Sequence, residues 1–193
     1  YQGISFKIMF VHVPAAWLSL LIFFSMGISS IIGLVFKSPT SFTISRSLSP
    51  IGLIMSIVVL ITGSIWGNLT WGTYWVWDAR LTSMLILAFI YLGHLFLLYS
   101  FEHFQKADFA ASILAIIGMV NIPIVKFSVD WWTTLHQGSS VFKISGPSMT
   151  TDYLITLMVS FFAILLLSLY WFTNIFYIIT EKRRIERAKL LND

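Results

Sequence analysis

The chain has 193 residues, of which 58% are hydrophobic, 17% aromatic and only 10% charged, with a formal net charge of +4. A soluble domain carries nearer a quarter of its residues as charges, so this chain lacks the charge to coat a water-facing surface, and its natural solvent is a bilayer. Cysteine is absent, which excludes disulfides, thiolate metal sites and a cysteine nucleophile.

Five apolar runs follow one another, at about 9–36, 49–67, 82–101, 108–128 and 152–179. Each approaches or exceeds the roughly 20 helical residues that a hydrocarbon core of about 30 Å requires. Apolar residues surround each run, which suits lipid-facing spans, and no alternation suggests a membrane barrel. The expected fold is an all-α polytopic membrane protein, one domain over 1–193. Pro14 and Pro50 are expected in the first turns of the first two helices, where a missing N–H costs nothing. Pro123, beside Asn121, is expected to kink the fourth. Gly63 and Gly67 form a small-xxx-small pair suited to close helix packing.

Lys37, Arg46 and Lys106, with the tail cations Lys182, Arg183, Arg184, Arg187 and Lys189, share one side of this arrangement. Lys7, Arg80, Lys126 and Lys143 share the other. The eight-cation side is expected to be the cytoplasm or its equivalent. The chain start, the 66–82 stretch and the connection before the last helix then face outward. The polar tail 181–193 reads as a solvated, helix-compatible topology anchor.

The 66–82 stretch, WGNLTWGTYWVWDARLT, is read as a loop at the outer membrane surface. It holds Trp66, Trp71, Trp75 and Trp77, and Trp131 and Trp132 share its membrane face. An interfacial aromatic belt accounts for one or two tryptophans per loop. Six of eight on one side make a wide apolar platform on which a large planar ligand could stack, each ring contributing roughly 0.5–1.5 kcal/mol beyond its buried area. Asp78 and Arg80 follow the platform. Arg80 offers a planar fork to a carboxylate, with Lys7 and Lys143 as further cations. His12 and His136 lie far apart in sequence but on this same face, and a pair of imidazoles can hold a haem iron from both sides. Asp130 is placed to orient a histidine through its ring N–H. His94, within the third helix, reads as a partner for a neighbouring helix, and His103 as solvated. Phosphate loops, membrane carboxylate pairs, a Ser-His-Asp arrangement and nucleic-acid signals are not found.

These residues carry a resemblance. The 66–82 stretch resembles the tryptophan-rich WWD signature of the haem-handling proteins of cytochrome c biogenesis, and MFVHVPAAW (9–17) and WWTTLHQG (131–138) resemble that group's two outer histidine segments. Within the group the chain most resembles the cytochrome c maturation protein C family, CcmC, from Tyr1 to about Arg184. The resemblance implies a haem-binding and transfer factor rather than an enzyme. It would bind haem b non-covalently at the outer face of a bacterial or mitochondrial inner membrane and promote its attachment to the haem chaperone CcmE. CcmA, CcmB, CcmD and the lipid bilayer are the further partners implied. His12 and His136 would be the axial ligands, with Trp71, Trp75, Trp77, Asp78, Arg80, Trp131 and Trp132 around the haem. The family has six spanning helices, so a first helix is expected to precede these five. The rival readings are an electron-transfer b-type haem protein, which would use His94 as a ligand, a haem exporter subunit, and a haem–apocytochrome ligase.

Overall fold

The computed structural model describes residues 3–136, 138, 141 and 146–191. All regular structure among them is helical. A short 3₁₀ turn, Gly3–Ile8, leads into α1 (Met9–Phe36), followed by α2 (Pro39–Trp71), α3 (Ala79–Tyr99), α4 (Phe104–Gly118), α5 (Asn121–Trp131) and α6 (Thr151–Leu190). Five helical segments among the described residues are long and apolar enough to cross a bilayer, with α4 and α5 together making the fourth.

Several boundaries differ from expectation. Helix α2 begins at Pro39, not near 49, leaving Lys37 and Ser38 as the whole connection. Ser38 caps it by accepting from the Ser41 N–H, and Pro39 occupies its first turn. The Ser/Thr-rich segment that reads as a loop is helical because its hydroxyls find partners inside the bundle. Thr43 and Ser47 donate to the carbonyls four residues back, and Ser45 pairs with Ser30 of α1 at 3.0 Å. Pro50 therefore lies inside α2, and Pro14 inside α1, rather than in their first turns. The fourth span breaks at Met119 and Val120. Pro123 has no N–H for the Met119 carbonyl, and its ring crowds that oxygen. The Ile122 N–H takes the carbonyl instead, at 3.1 Å. Helix α6 continues through the basic tail to Leu190.

The core gathers Leu18, Ile22, Phe23 and Met26 of α1, Ile51 and Met55 of α2, and Leu87 and Tyr91 of α3. The Tyr91 ring lies against Gly52, and its hydroxyl donates to the Ser19 carbonyl at 2.7 Å. His94 bonds Ser49 through Nδ1 at 3.0 Å and Ser45 through Nε2 at 3.5 Å. It joins α3 to α2, as expected.

At the tail end the bundle is locked by ion pairs. Arg46, expected in a loop, is buried in α2. Its Nε donates to Asp108 Oδ1 at 2.5 Å, and Arg183 of α6 donates to Asp108 Oδ2 at 2.7 Å. Both guanidiniums lie over the Phe104 ring, 4.4 and 4.6 Å from its centre. Glu186 accepts from the Phe104 N–H and pairs with the half-exposed His103. Removing one partner of a buried charge pair costs about 3–5 kcal/mol because the other is left uncompensated. Asp108→Ala strands two arginines, so it should lower the thermal stability of the detergent-purified protein by that order, whereas Arg184→Ala, at an exposed pair, should leave the melting temperature within a degree or two.

Candidate functional site

At the opposite end, the stretch 66–82 is a turn between two helices rather than one long loop. Residues up to Trp71 complete α2, and α3 starts at Ala79, so only 72–78 are non-helical. Gly72 ends α2 at φ 76°, a left-handed geometry that suits glycine, and its N–H returns to the Asn68 carbonyl. Asp78 caps α3, its Oδ1 accepting from the Leu81 N–H at 2.8 Å. Ser64 donates to the Tyr74 carbonyl at 2.7 Å and pins the turn back onto α2.

Between these elements lies a cavity of about 960 Å³, at the upper end of the size range of small-molecule and cofactor sites. Helix α1 contributes His12 and Trp17, α2 Gly63, Trp66 and Trp71, the turn Trp75, α3 Arg80, α5 Lys126 and Asp130, the next connection His136, and α6 Tyr153.

His12 is seated on α2. Its Nδ1 is 3.1 Å from Thr62 Oγ1. That hydroxyl spends its own proton on the Val58 carbonyl at 2.6 Å, so it accepts from His12, and the lone pair of the ring resides on Nε2. A Cβ at Gly63 would stand 2.8 Å from His12 Cε1. Gly63 thus serves close helix packing, and the group it admits is the imidazole. Gly67 likewise admits the Trp71 ring. The edge of Trp66 flanks His12, at 5.8 Å between centroids.

His136 arrives from the connection after α5. Its Nδ1 is 3.4 Å from Asp78 Oδ2. A carboxylate only accepts, so Nδ1 donates and Nε2 again carries the lone pair. Trp71 lies edge-on at 4.8 Å. Burial pushes the His136 pKa below its ordinary 6.5, Arg80 pushes it further down, and Asp78 opposes both. The ring is therefore neutral near pH 7, the form that binds metal. Asp78, not Asp130, holds this histidine. Asp130 lies instead at the cavity wall as an electrostatic neighbour of Arg80.

The structure thus brings together His12, His136, Trp71, Trp75, Arg80 and, behind His136, Asp78. It does not bring Trp77, Trp131 and Trp132 to the cavity wall. They are at least half exposed, at 77%, 56% and 50%, with Trp131 stacked on Phe127. Lys7 does not line the cavity, and Lys143 lies outside the described residues.

The whole-chain comparison settles the lineage. The family model described as heme exporter protein C, CcmC, matches residues 1–190. The chain belongs to the CcmC family. A heme exporter protein C of Bradyrhizobium diazoefficiens is 46% identical over 86% of this chain, which spans 63% of that relative's length. A ccmC-like mitochondrial cytochrome c biosynthesis protein of Marchantia polymorpha is 48% identical over 95% of this chain and 75% of its own. The heme exporter protein C of Escherichia coli K12 is 45% identical over 86% of this chain and 67% of its own.

Three features of this CcmC-family site escaped sequence reasoning. Thr62 reads as an ordinary span residue, although its spacing from Gly63 and Trp66 places all three at the site end of one helix. Lys126 reads only as a cation of the outer side, yet it lines the cavity. The Trp75 indole N–H is buried without a partner among the described residues.

The charges around His136 yield a signed prediction. Its pKa is depressed, so the buried position of the His136 ring is fully favoured above the ordinary 6.5 and is weakened as pH falls towards the lower, folded-state value. In a nitrogen-resolved NMR titration of haem-free protein, His136 should titrate below 6.5. Arg80→Gln should raise that midpoint and Asp78→Asn lower it. The opposite signs would refute the arrangement.

Proposed function

We propose that this chain binds haem in the tryptophan-lined cavity and hands it to a haem chaperone during c-type cytochrome maturation. The observation that carries the reading is the convergence of two imidazoles, 124 positions apart in the chain, on one cavity wall, each with Nδ1 engaged and Nε2 left for a metal. Among the described residues no group of three or more His, Asp or Glu forms a metal cage. Two histidines instead suit an iron whose other ligands come from a macrocycle. The surroundings fit that cargo. Trp66, Trp71 and Trp75 supply aromatic walls, Arg80 and Lys126 supply cations for the two carboxylates of haem, and the orphaned Trp75 N–H is a donor awaiting an acceptor.

Haem b would be held non-covalently, and no nucleophile of this chain takes part, so the reading is of a transfer factor and not an enzyme. By family, the receiving chaperone is CcmE, and CcmA, CcmB and CcmD are the membrane partners. The site end would face the outside of a bacterial inner membrane or its mitochondrial counterpart, with the α6 tail in the cytoplasm, as the cation distribution favours. Exposed Trp77, Trp131 and Trp132, beside the cavity yet outside its wall, are assigned to the chaperone or to the interface.

The relatives' name favours a second reading, a subunit that conducts haem across the membrane. The packing argues for presentation at one end. Below the cavity, Phe23, Met26 and Tyr91 are fully buried, and the Arg46–Asp108–Arg183 lock lies beyond them. Haem crossing vesicles that contain this protein alone would decide for the conductor. An electron-transfer role with His94 as ligand is disfavoured, since both its nitrogens are engaged by serines.

His12→Ala and His136→Ala should each lower co-purified haem at least tenfold and abolish the low-spin spectrum of two nitrogen ligands. Wild-type haem content in both variants would sink the site assignment. Among the tryptophans the expectation divides. Trp75→Ala should reduce haem content, whereas Trp77→Ala should retain haem and lower only its transfer to purified CcmE, measured as chaperone-bound haem.

A further inference from the structure

Resting on the haem reading above, we propose that the two axial histidines are unequal. His136 is the retained ligand, and His12, oriented by Thr62 as a positioning residue, is the one that opens when haem changes hands.

The inequality lies one atom behind each ring. His136 Nδ1 donates to a carboxylate, Asp78 Oδ2, whose side chain is only 6% exposed. His12 Nδ1 donates to a neutral hydroxyl, Thr62 Oγ1, at 3.1 Å, and the ring's other hydrogen-bond partner, the Val59 backbone, is neutral too. A ligating imidazole that donates to a carboxylate gains electron density at its far nitrogen and binds iron more strongly. The Asp78 contact is the longer of the two, 3.4 Å against 3.1 Å, so the inequality rests on the carboxylate's charge and not on bond length. The Thr62 hydroxyl is fixed in its accepting role by its 2.6 Å bond to the Val58 carbonyl, so it holds the ring in place without lending it charge. The surroundings agree. The His12 ring rests on bare backbone at Gly63, and its ring neighbour Trp66 is further off, at 5.8 Å between centroids. His136 is braced by Asp78 and by the Trp71 edge at 4.8 Å. Asp78 is itself tied down by the Leu81 N–H, so the stronger ligand is anchored to a helix start although its own backbone lies in a connection.

An incoming ligand on haem would then displace His12 first and leave the iron tethered through His136. Carbon monoxide serves as that ligand on the reduced, haem-loaded, detergent-purified protein. The iron–carbon and carbon–oxygen stretching bands report the group opposite the bound carbon monoxide. Asp78→Asn, which keeps the helix cap, should shift both bands, and Thr62→Val should leave them in place. Thr62→Val should also speed carbon monoxide entry about tenfold, the lower end of what losing an outer partner of a metal ligand costs, and Thr62→Ser should restore the wild-type rate. Bands that move with Thr62→Val, or that stay put with Asp78→Asn, overturn the proposal. A wild-type spectrum without two nitrogen ligands, seen before any carbon monoxide is added, would instead remove the haem reading and this inequality with it.

Discussion

A bilayer offers no water to a polar group, so every such group carried into it must find its partner inside the bundle. That constraint organises this chain. The serines of α1 and α2, the His94 ring, the Asn121 amide and the Arg46–Asp108–Arg183 cluster each bridge turns or helices through bonds that lipid could not supply. The same rule gives meaning to what is left over at the other end. There, two imidazoles are held through Nδ1 beside a cavity, and a buried indole N–H has no partner among the described residues. The other buried atom without a partner among the described residues is Arg183 Nε, whose guanidinium is already paired with Asp108, whereas the groups left over at the tryptophan end line a cavity.

The two ends of the molecule divide the labour. Ion pairing fixes α2, α4 and α6 at the tail end. Apolar packing around Tyr91 and Phe23 closes the middle. At the tryptophan end the helices separate enough to leave a chamber, and aromatic rings among its walls pack against the two histidines. Rigidity at one end allows the two histidines at the other to be held by helix starts and turns without loss of register.

Much of this was legible in the sequence. The five spans, the inward position of His94 and the shared face of His12, His136 and the tryptophans all follow from apolar run length and chain parity. What was not legible depends on partners distant in sequence. Residues 39–48 read as a loop because hydroxyls and Arg46 look expensive in a membrane. They are helical because Ser30, Asp108 and backbone carbonyls, supplied by other turns, satisfy them. The tryptophans looked like a single platform, but side-chain direction divides them. Trp66, Trp71 and Trp75 turn to the cavity, while Trp77 and the stacked Trp131 do not. Pairing Asp130 with a histidine was reasonable by proximity in sequence. Asp78 takes that place because capping α3 already holds its carboxylate beside the 136 connection.

That double use of Asp78 bears on how a carrier can hold a cargo firmly and still release it. A carboxylate fixed by a helix start cannot drift, so the histidine it orients keeps its place without a rigid backbone of its own. The opposite histidine has the reverse arrangement, a rigid helix beneath it and a neutral hydroxyl behind it. On the haem reading proposed above, one ligand would be strong by chemistry and the other placed by scaffold. A site that had to retain haem permanently would gain by making both strong, since a second carboxylate behind His12 would need only one acidic side chain in place of Thr62. A hydroxyl there suits the hand-over of haem proposed above.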